Sequence, residues 1–554
     1  MSEIVVYPAR KIITMNAMQP VATHVAVRDG RILAVGDLDA VAAWGPYTLD
    51  ERFADKVLMP GLIEGHSHAK AGGMWKNAYL GWFDRRDPDG KLCPGSQSMD
   101  AVVARLSELD AQMRAAGKAD DAPLITWGFD PIYFDGNVRM TVEHLDRASA
   151  TRPIIVAHSN GHVMNANSAT LQICGVTAET DVEGVMKFDG GARAGQPTGE
   201  LREFAAQFLV LRKFSKAGLV TQLTAEDVRM FAKLARRQGI TTITDLLNPL
   251  TPEDCAALEE ATAEEACSIR ILPAFRAVQG THGAAEGAAY VNELKQRNSE
   301  RLRYGLVKMM LDGSIQGFSG RLRWPGYYNG APNGIWVTEP GQYETDFEAY
   351  HRAGLLIHTH VNADEASAVA IDAIERVLTR APRPDHRHTL QHGQMMDGPM
   401  FRRMKALGLC ANLFANHIWY WGDQHYEITM GPDRANRMDA CGSALAAGVP
   451  LAIHCDAPVT PLGPLFTAWC AVNRVTPSGR VLGESERISV QQALYAITMG
   501  AAWTLKMDAE VGSIECGKRA DFCVLEDDPL SVDPMQLKDI PVWGTVLSGR
   551  VFEA

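Results

Sequence analysis

VLMPGLIEGHSH, residues 57–68, is a short apolar run that ends in two histidines two positions apart. Residues i and i+2 of an extended segment point to the same side, so His66 and His68 can reach one ion. Seven later runs share this build, each a few apolar residues with a helix-like stretch interposed before the next. They are TTITDLL (241–247), IRILPAF (269–275), YGLVKMMLDG (304–313), GLLIHTH (354–360), HTLQH (388–392), LCANLF (409–414) and VPLAIHCD (449–456). Eight such β-runs predict an α/β fold of parallel βα units, a (β/α)8 TIM barrel, although a doubly wound open sheet would alternate similarly. Between the first and second runs lies a segment with its own apolar run, RPIIVAHS (152–159), and a helical stretch, AVVARLSELDAQMRAAG (101–117). It reads as a folded insertion after strand 1, at about residues 75–235.

Outward from the runs, both ends of the chain are β-rich. VATHVAVRDGRILAVGD (21–37) places two strands around Asp29-Gly30, and VWGTVLSGRVFEA (542–554) places two around Ser548-Gly549. Neither end is long enough for a core of its own. Residues 1–56 and 505–554 are therefore expected to form one small discontinuous β-sandwich domain, with the barrel over 57–504. The 554 residues are 46% apolar and can bury a large core,. A net charge of −12 without a basic run argues against nucleic acid as a partner,. The N-terminal MSEIVVYPARKIITMN is interrupted by Pro8, Arg10 and Lys11 and does not read as a signal peptide, and no run reaches membrane-spanning length,. Ten cysteines without a CxxC pair fit reduced thiols, so the expected location is cytoplasmic,.

Polar residues at the C-terminal ends of barrel strands converge on one mouth. Besides His66 and His68, the runs carry Lys308, His360, His392 and Asp456 there. Imidazole and carboxylate suit a divalent metal, zinc best, with iron, manganese or cobalt also compatible. Lysine has no lone pair while charged and needs its own explanation. Lys308 follows the apolar YGLV, and two readings fit. A buried lysine of depressed pKa reacts with carbon dioxide to give N6-carboxylysine, which bridges two metals; alternatively Lys308 pairs with Asp312 or another carboxylate. The aromatic segment ANHIWYWGDQHY (415–426) brings His417, Trp419, Tyr420 and Trp421 near the mouth, to line a substrate pocket or to pack,.

PGLIEGHSH (60–68), SNGHVMNANSATL (159–171), GQPTGELRE (195–203), VKMMLDGS (307–314), HVNADEASA (360–368), LQHGQ (390–394), CDAPV (455–459) and GSIECGKRADFCVLEDDPL (512–530) together resemble the amidohydrolase superfamily, amidohydrolase-3 branch. The motifs run in family order over nearly the whole length. The resemblance implies the barrel, a β-sandwich from both termini and an insert that covers the active site. His66, His68 and Asp456 would hold one ion, and His360 and His392 a second, with carboxylated Lys308 between them; a single ion with a structural Lys308 is the other version. Asp456 would be the catalytic base and then acid. His162 and Asn165 would bind substrate, with Trp419 and Trp421 as pocket aromatics. The expected reaction is hydrolysis of a carbon–nitrogen amide-type bond in a small molecule, such as an N-substituted formamide or N-acyl compound. Hydrolytic deamination or ring opening of a cyclic amide is the second reading, and a non-catalytic metal-binding barrel the third. A homo-oligomer is expected of the family. Two departures stand out: HVNAD where relatives read like HAIGD, with His358 on the same strand face, and His454-Cys455 ahead of Asp456 where a Gly-Ser pair is common.

Overall fold

The structure is a computed structural model that describes residues 3–134, 139–159, 161, 163–214, 222–277 and 283–554. The chain divides into two compact units, Met1–Ala69 with Ala232–Ala554, and Lys70–Phe231.

At the centre of the first unit is a curled, eight-stranded parallel sheet. Its strands, in spatial and chain order, are Leu62–Glu64, Ile240–Asn248, Arg270–Arg276, Leu306–Met310, Leu356–Val361, Thr389–His392, Cys410–Leu413 and Leu451–Ile453. A parallel bridge between Ser67 and Ala457 ties the segments that follow the first and eighth strands. The strands are buried along nearly their whole length, as parallel strands covered on both faces must be. Between them run amphipathic helices with explicit ends. In Gly398–Leu407, the Asp397 side chain accepts the Met400 N–H at 2.9 Å, Pro399 occupies the first turn, and Gly408 at φ 71° ends the helix. Met400, Phe401 and Met404 form its buried face. Both devices are recognisable from residue type.

The first apolar run is not one strand. It breaks at Pro60-Gly61: Val57–Pro60 pairs antiparallel with Phe522–Leu525, while Leu62–Glu64 opens the parallel sheet. Proline supplies no N–H for a continuing ladder, and a Cβ on Gly61 would overlap the Thr241 side chain. The sheet made by the termini has the order Arg550–Glu553, Val542–Leu547, Phe522–Leu525, Val57–Pro60, Ile4–Ile13, Val21–Arg28, Arg31–Gly36, with Tyr47–Leu49 also on Ile4–Ile13. Tyr7, Val25 and Ile32 from its N-terminal strands pack in one core with Phe522, Val524 and Val546 from its C-terminal strands. Its tight turns use left-handed residues, Asp29-Gly30 (φ 52° and 72°) and Ser548-Gly549 (φ 47° and 79°), as a two-residue hairpin requires.

The second unit is built on a six-stranded sheet of order Val185–Lys187, Pro197–Arg202, Val163–Ala166, Ile154–His158, Leu124–Phe129, Ala78–Tyr79. One of its cores gathers Ile155, Met164 and Leu201, and the other Leu124, Ile154 and Val156. Among the described residues, no helix is long and apolar enough to cross a membrane.

Candidate metal centre

All of the expected ligands except Lys308 sit where strands of the parallel sheet end. The register sets Met310 opposite His360 and Val361 opposite His392. His66 and His68 follow the first strand and Asp456 the eighth. Lys308 is the middle residue of the fourth. His392 (φ 68°) and Asp456 (φ 54°) are held in the left-handed region. That conformation costs a side-chain-bearing residue on the order of 1–3 kcal/mol and clusters where function requires it.

Hydrogen bonds fix which ring nitrogens carry lone pairs, starting from backbone carbonyls that can only accept. The Thr504 carbonyl lies 3.1 Å from His358 Nε2 and places the proton there. His358 Nδ1 is then an acceptor and takes the Gln391 Nε2 amide at 2.8 Å. This orients Gln391, whose Oε1 accepts from Asn412 Nδ2 at 3.0 Å and from His66 Nδ1 at 2.8 Å. His66 therefore presents a lone pair at Nε2. His68 is set in the same way, since its Nδ1 donates to the Leu246 carbonyl at 2.6 Å. Both Nε2 atoms face Asp456 Oδ1, at 3.5 Å from His66 and 3.2 Å from His68. Two lone pairs aimed at an ionised oxygen repel unless a proton or a cation lies between them. Burial, with Lys308 next in importance, holds His66 well below the usual imidazole range, which disfavours the proton. Burial works against the Asp456 carboxylate, yet His68, His454 and Lys308 keep it below its usual range. The donor set fits a divalent cation.

One nitrogen each of His66 and His68 and one Asp456 oxygen lie within 4.8 Å of one another, and so do nitrogens of His66, His392 and His454. His392 Nδ1 is 3.8 Å from Asp456 Oδ2. His360 is outside both groups among the described residues; its ring lies 4.4 Å from that of His392, and its Nε2 is 3.2 Å from the Gly313 carbonyl. Lys308 Nζ is 3.3 Å from His66 Nε2, and burial lowers its pKa to about 7. It is not paired with Asp312. That carboxylate accepts the backbone N–H groups of Asn362, Ala363 and Arg321 at 2.9, 3.0 and 3.1 Å. Glu64, just before the paired histidines, accepts the His66 N–H at 3.0 Å and the Cys455 thiol at 2.8 Å; burial pushes its carboxyl up to about 8.

The remaining expected residues lie in the second unit and on the segment that follows the seventh parallel strand. Asn165 is fully buried in the second unit, its Oδ1 2.6 Å from His158 Nε2 and its amide donating to the Met140 carbonyl at 2.8 Å, so both ends are engaged in packing. His162 lies outside the described residues. Trp419 packs on Trp469 and Phe466, with ring centroids 5.3 and 6.2 Å away. Trp421 is buried against Phe414 at 6.2 Å and His417 at 5.8 Å. His417 is held by Asp439 Oδ1 at 3.1 Å. The sequence motifs assign no role to His454 or Gln391. His454 stands two residues before Asp456, the same i, i+2 spacing as His66 and His68, which is a local signal for it.

A parallel α/β sheet with imidazoles and a carboxylate gathered at its strand ends defines the class, a metal-dependent hydrolase. Residues 54–552 match the Amidohydrolase family, Amidohydro_3, and the chain belongs to that family, whose members act on carbon–nitrogen bonds. Protein LONG AFTER FAR-RED 3 of Arabidopsis thaliana is 27% identical over 537 residues, covering 93% of this chain and 85% of that protein. N-substituted formamide deformylase of Arthrobacter pascens is 24% identical over 557 residues, covering 97% of this chain and 96% of that protein. Among solved structures, a metal-dependent hydrolase from Pyrococcus horikoshii OT3 shares the fold, with a TM-score of 0.70 at 19% identity over 96% of this chain and 99% of that one.

Proposed function

We propose that this protein hydrolyses a carbon–nitrogen amide-type bond of a small molecule, an N-substituted formamide or N-acyl compound. The observation that carries the reading is the convergence of two fixed Nε2 lone pairs, from His66 and His68, on Asp456 Oδ1. The similarity to N-substituted formamide deformylase over nearly the full length supports the substrate class. A divalent ion held there, zinc in our reading, would supply Lewis acidity and lower the pKa of a water molecule. Asp456 takes the proton of the attacking water at its carboxylate and delivers it to the departing amine nitrogen. Lys308 is kept from its ordinary protonation by burial, and as a neutral amine it is competent to become N6-carboxylysine,. The carboxylated form would join a second ion held by His360 and His392.

In domain terms the reading is a (β/α)8 barrel at 57–504, a β-sandwich from 1–56 and 505–554, and an insert at about 75–235. The ten cysteines are all free thiols, which supports a cytoplasmic setting,. A homo-oligomer that binds neither nucleic acid nor membrane completes the picture. The test is metal per chain by elemental analysis, paired with a panel of N-substituted formamides, cyclic amides and amino-substituted heterocycles. Stoichiometric metal with release of formate and an organic amine is expected. Release of ammonia from a ring would move the assignment to deamination, and a protein without metal would overturn it. Lys308→Ala is expected to lower metal content and turnover; full retention of both refutes the carboxylated lysine alone.

A further inference from the structure

We propose that His454 is a further metal ligand, which with His66 and His392 makes an all-nitrogen seat for a divalent ion, alternative to the seat at His66, His68 and Asp456. The inference rests on the metal-dependent reading above. His454 is fully buried, and among the described residues neither of its ring nitrogens has a hydrogen-bond partner. The same is true of both ring nitrogens of His392. A buried polar group left without a partner is costly, so two adjacent imidazoles left this way call for a ligand. Their rings are 5.0 Å apart, and a nitrogen of each lies within 4.8 Å of one on His66. The neighbouring polar side chains do not satisfy them: Gln391 is committed to His66 and His358, and Asn412 donates to Gln391.

Phe414 and His66 hold the His454 ring between them, with centroids 4.8 and 4.5 Å away and interplanar angles of 17° and 20°. Stacked rings direct their lone pairs side by side, so uptake of an ion requires the His454 ring to turn out of this stack. His66 offers only Nε2, because Nδ1 donates to Gln391, and Lys308 Nζ lies 3.3 Å from that nitrogen. The two seats therefore exclude each other, and filling the nitrogen seat also draws His392 away from any second ion. The seats differ in chemistry. Imidazoles alone suit zinc, copper and nickel, whereas a carboxylate oxygen suits manganese. An ion in the nitrogen seat leaves the Asp456 carboxylate outside its ligand set, so zinc held there is a resting state, and turnover requires the ion at His66, His68 and Asp456.

The experiment uses metal-free full-length protein titrated with Zn(II) and Mn(II) against a chromophoric chelator, comparing wild type with His454→Phe and His454→Gln. Circular dichroism monitors the fold. The phenylalanine variant keeps a ring between Phe414 and His66 while removing both nitrogens. Zn(II) affinity is expected to fall at least tenfold in both variants, with Mn(II) affinity within about twofold of wild type. Electron paramagnetic resonance of the Cu(II)-loaded wild type, which needs no variant, is expected to show three coupled nitrogens. Unchanged Zn(II) affinity in a folded variant, or a two-nitrogen copper spectrum in the wild type, overturns the seat and leaves the metal reading intact. A wild type that binds neither zinc nor manganese overturns both.

Discussion

At the scale of single residues, the centre depends on a side chain that is not itself one of the expected ligands. Gln391 reads the His358 tautomer, itself set by the Thr504 carbonyl, and passes it to His66. Removing such an orienting partner of a ligating histidine typically costs 10–100-fold in metal affinity. Gln391→Leu is therefore expected to weaken Zn(II) binding within about that range without unfolding the protein, as measured by chelator competition. If affinity were unchanged, the tautomer relay would have no bearing on binding. The positions of His66, His68, His392 and Asp456 at strand ends could be read in the sequence, because two-residue alternation and run boundaries are local. The relay could not, because it joins residues 66, 358, 391, 412 and 504 through register across separate strands. Asn165 and Trp419 illustrate the converse limit. Each sits in a suggestive motif, and only packing reveals what its polar or aromatic surface meets.

Between elements, a second group of histidines joins the helix Pro340–Arg352 to the sheet. His351 Nε2 donates to the Ala381 carbonyl at 2.7 Å, which leaves Nδ1 to accept from His388 Nε2 at 2.9 Å. His388 Nδ1 accepts the Ile357 N–H, and His386 Nδ1 accepts the His388 N–H while its Nε2 donates to Leu407. Every acceptor nitrogen is used, so an added proton has no place, and Arg383 lies 3.2 Å from His388 Nε2. Burial lowers the pKa of all three, His386 to about 4. Below about pH 6.5 the unfolded chain takes up protons that the folded one refuses, so stability falls as pH drops from 6.5 toward 4,. The cost for His386 alone is up to about 1.4 kcal/mol per pH unit in that window. Melting temperature measured from pH 7.5 to 4.5 is expected to fall less steeply in His386→Asn than in wild type; parallel profiles would refute the assignment. The eight β-runs were legible at this scale, since each apolar run falls on a strand. The exception is 57–68, where a single hydrophobic stretch serves two sheets, and hydrophobicity alone carries no mark of the change.

At the scale of the whole first unit, a buried ion pair couples the terminal sheet to the parallel one. Arg270 Nη1 on the third parallel strand meets Asp521 Oδ2 at 2.6 Å, next to Phe522–Leu525, and Asp521 Oδ1 accepts the Ser548 N–H at 2.8 Å. Removing one member of a fully buried pair strands the other charge and costs about 3–5 kcal/mol, while replacing both with apolar groups costs much less. Urea unfolding is expected to show that loss for Arg270→Met and partial recovery in Arg270→Met with Asp521→Leu. Equal losses in the single and double variants would mean that the pair does not couple the sheets. The joining of the two ends was legible because neither can bury a core alone, but the pair itself was not, since 251 positions separate its members. The strand Val57–Pro60 that precedes the paired histidines lies against Phe522–Leu525. A ribosome adding roughly 5–20 residues per second reaches that partner about 25–90 s after making the first strand. For that interval the strand has its Ile4–Ile13 partner on one edge and carries the other edge open beside its future metal ligands. Chaperone occupancy during synthesis thus becomes a property of how this sheet is threaded.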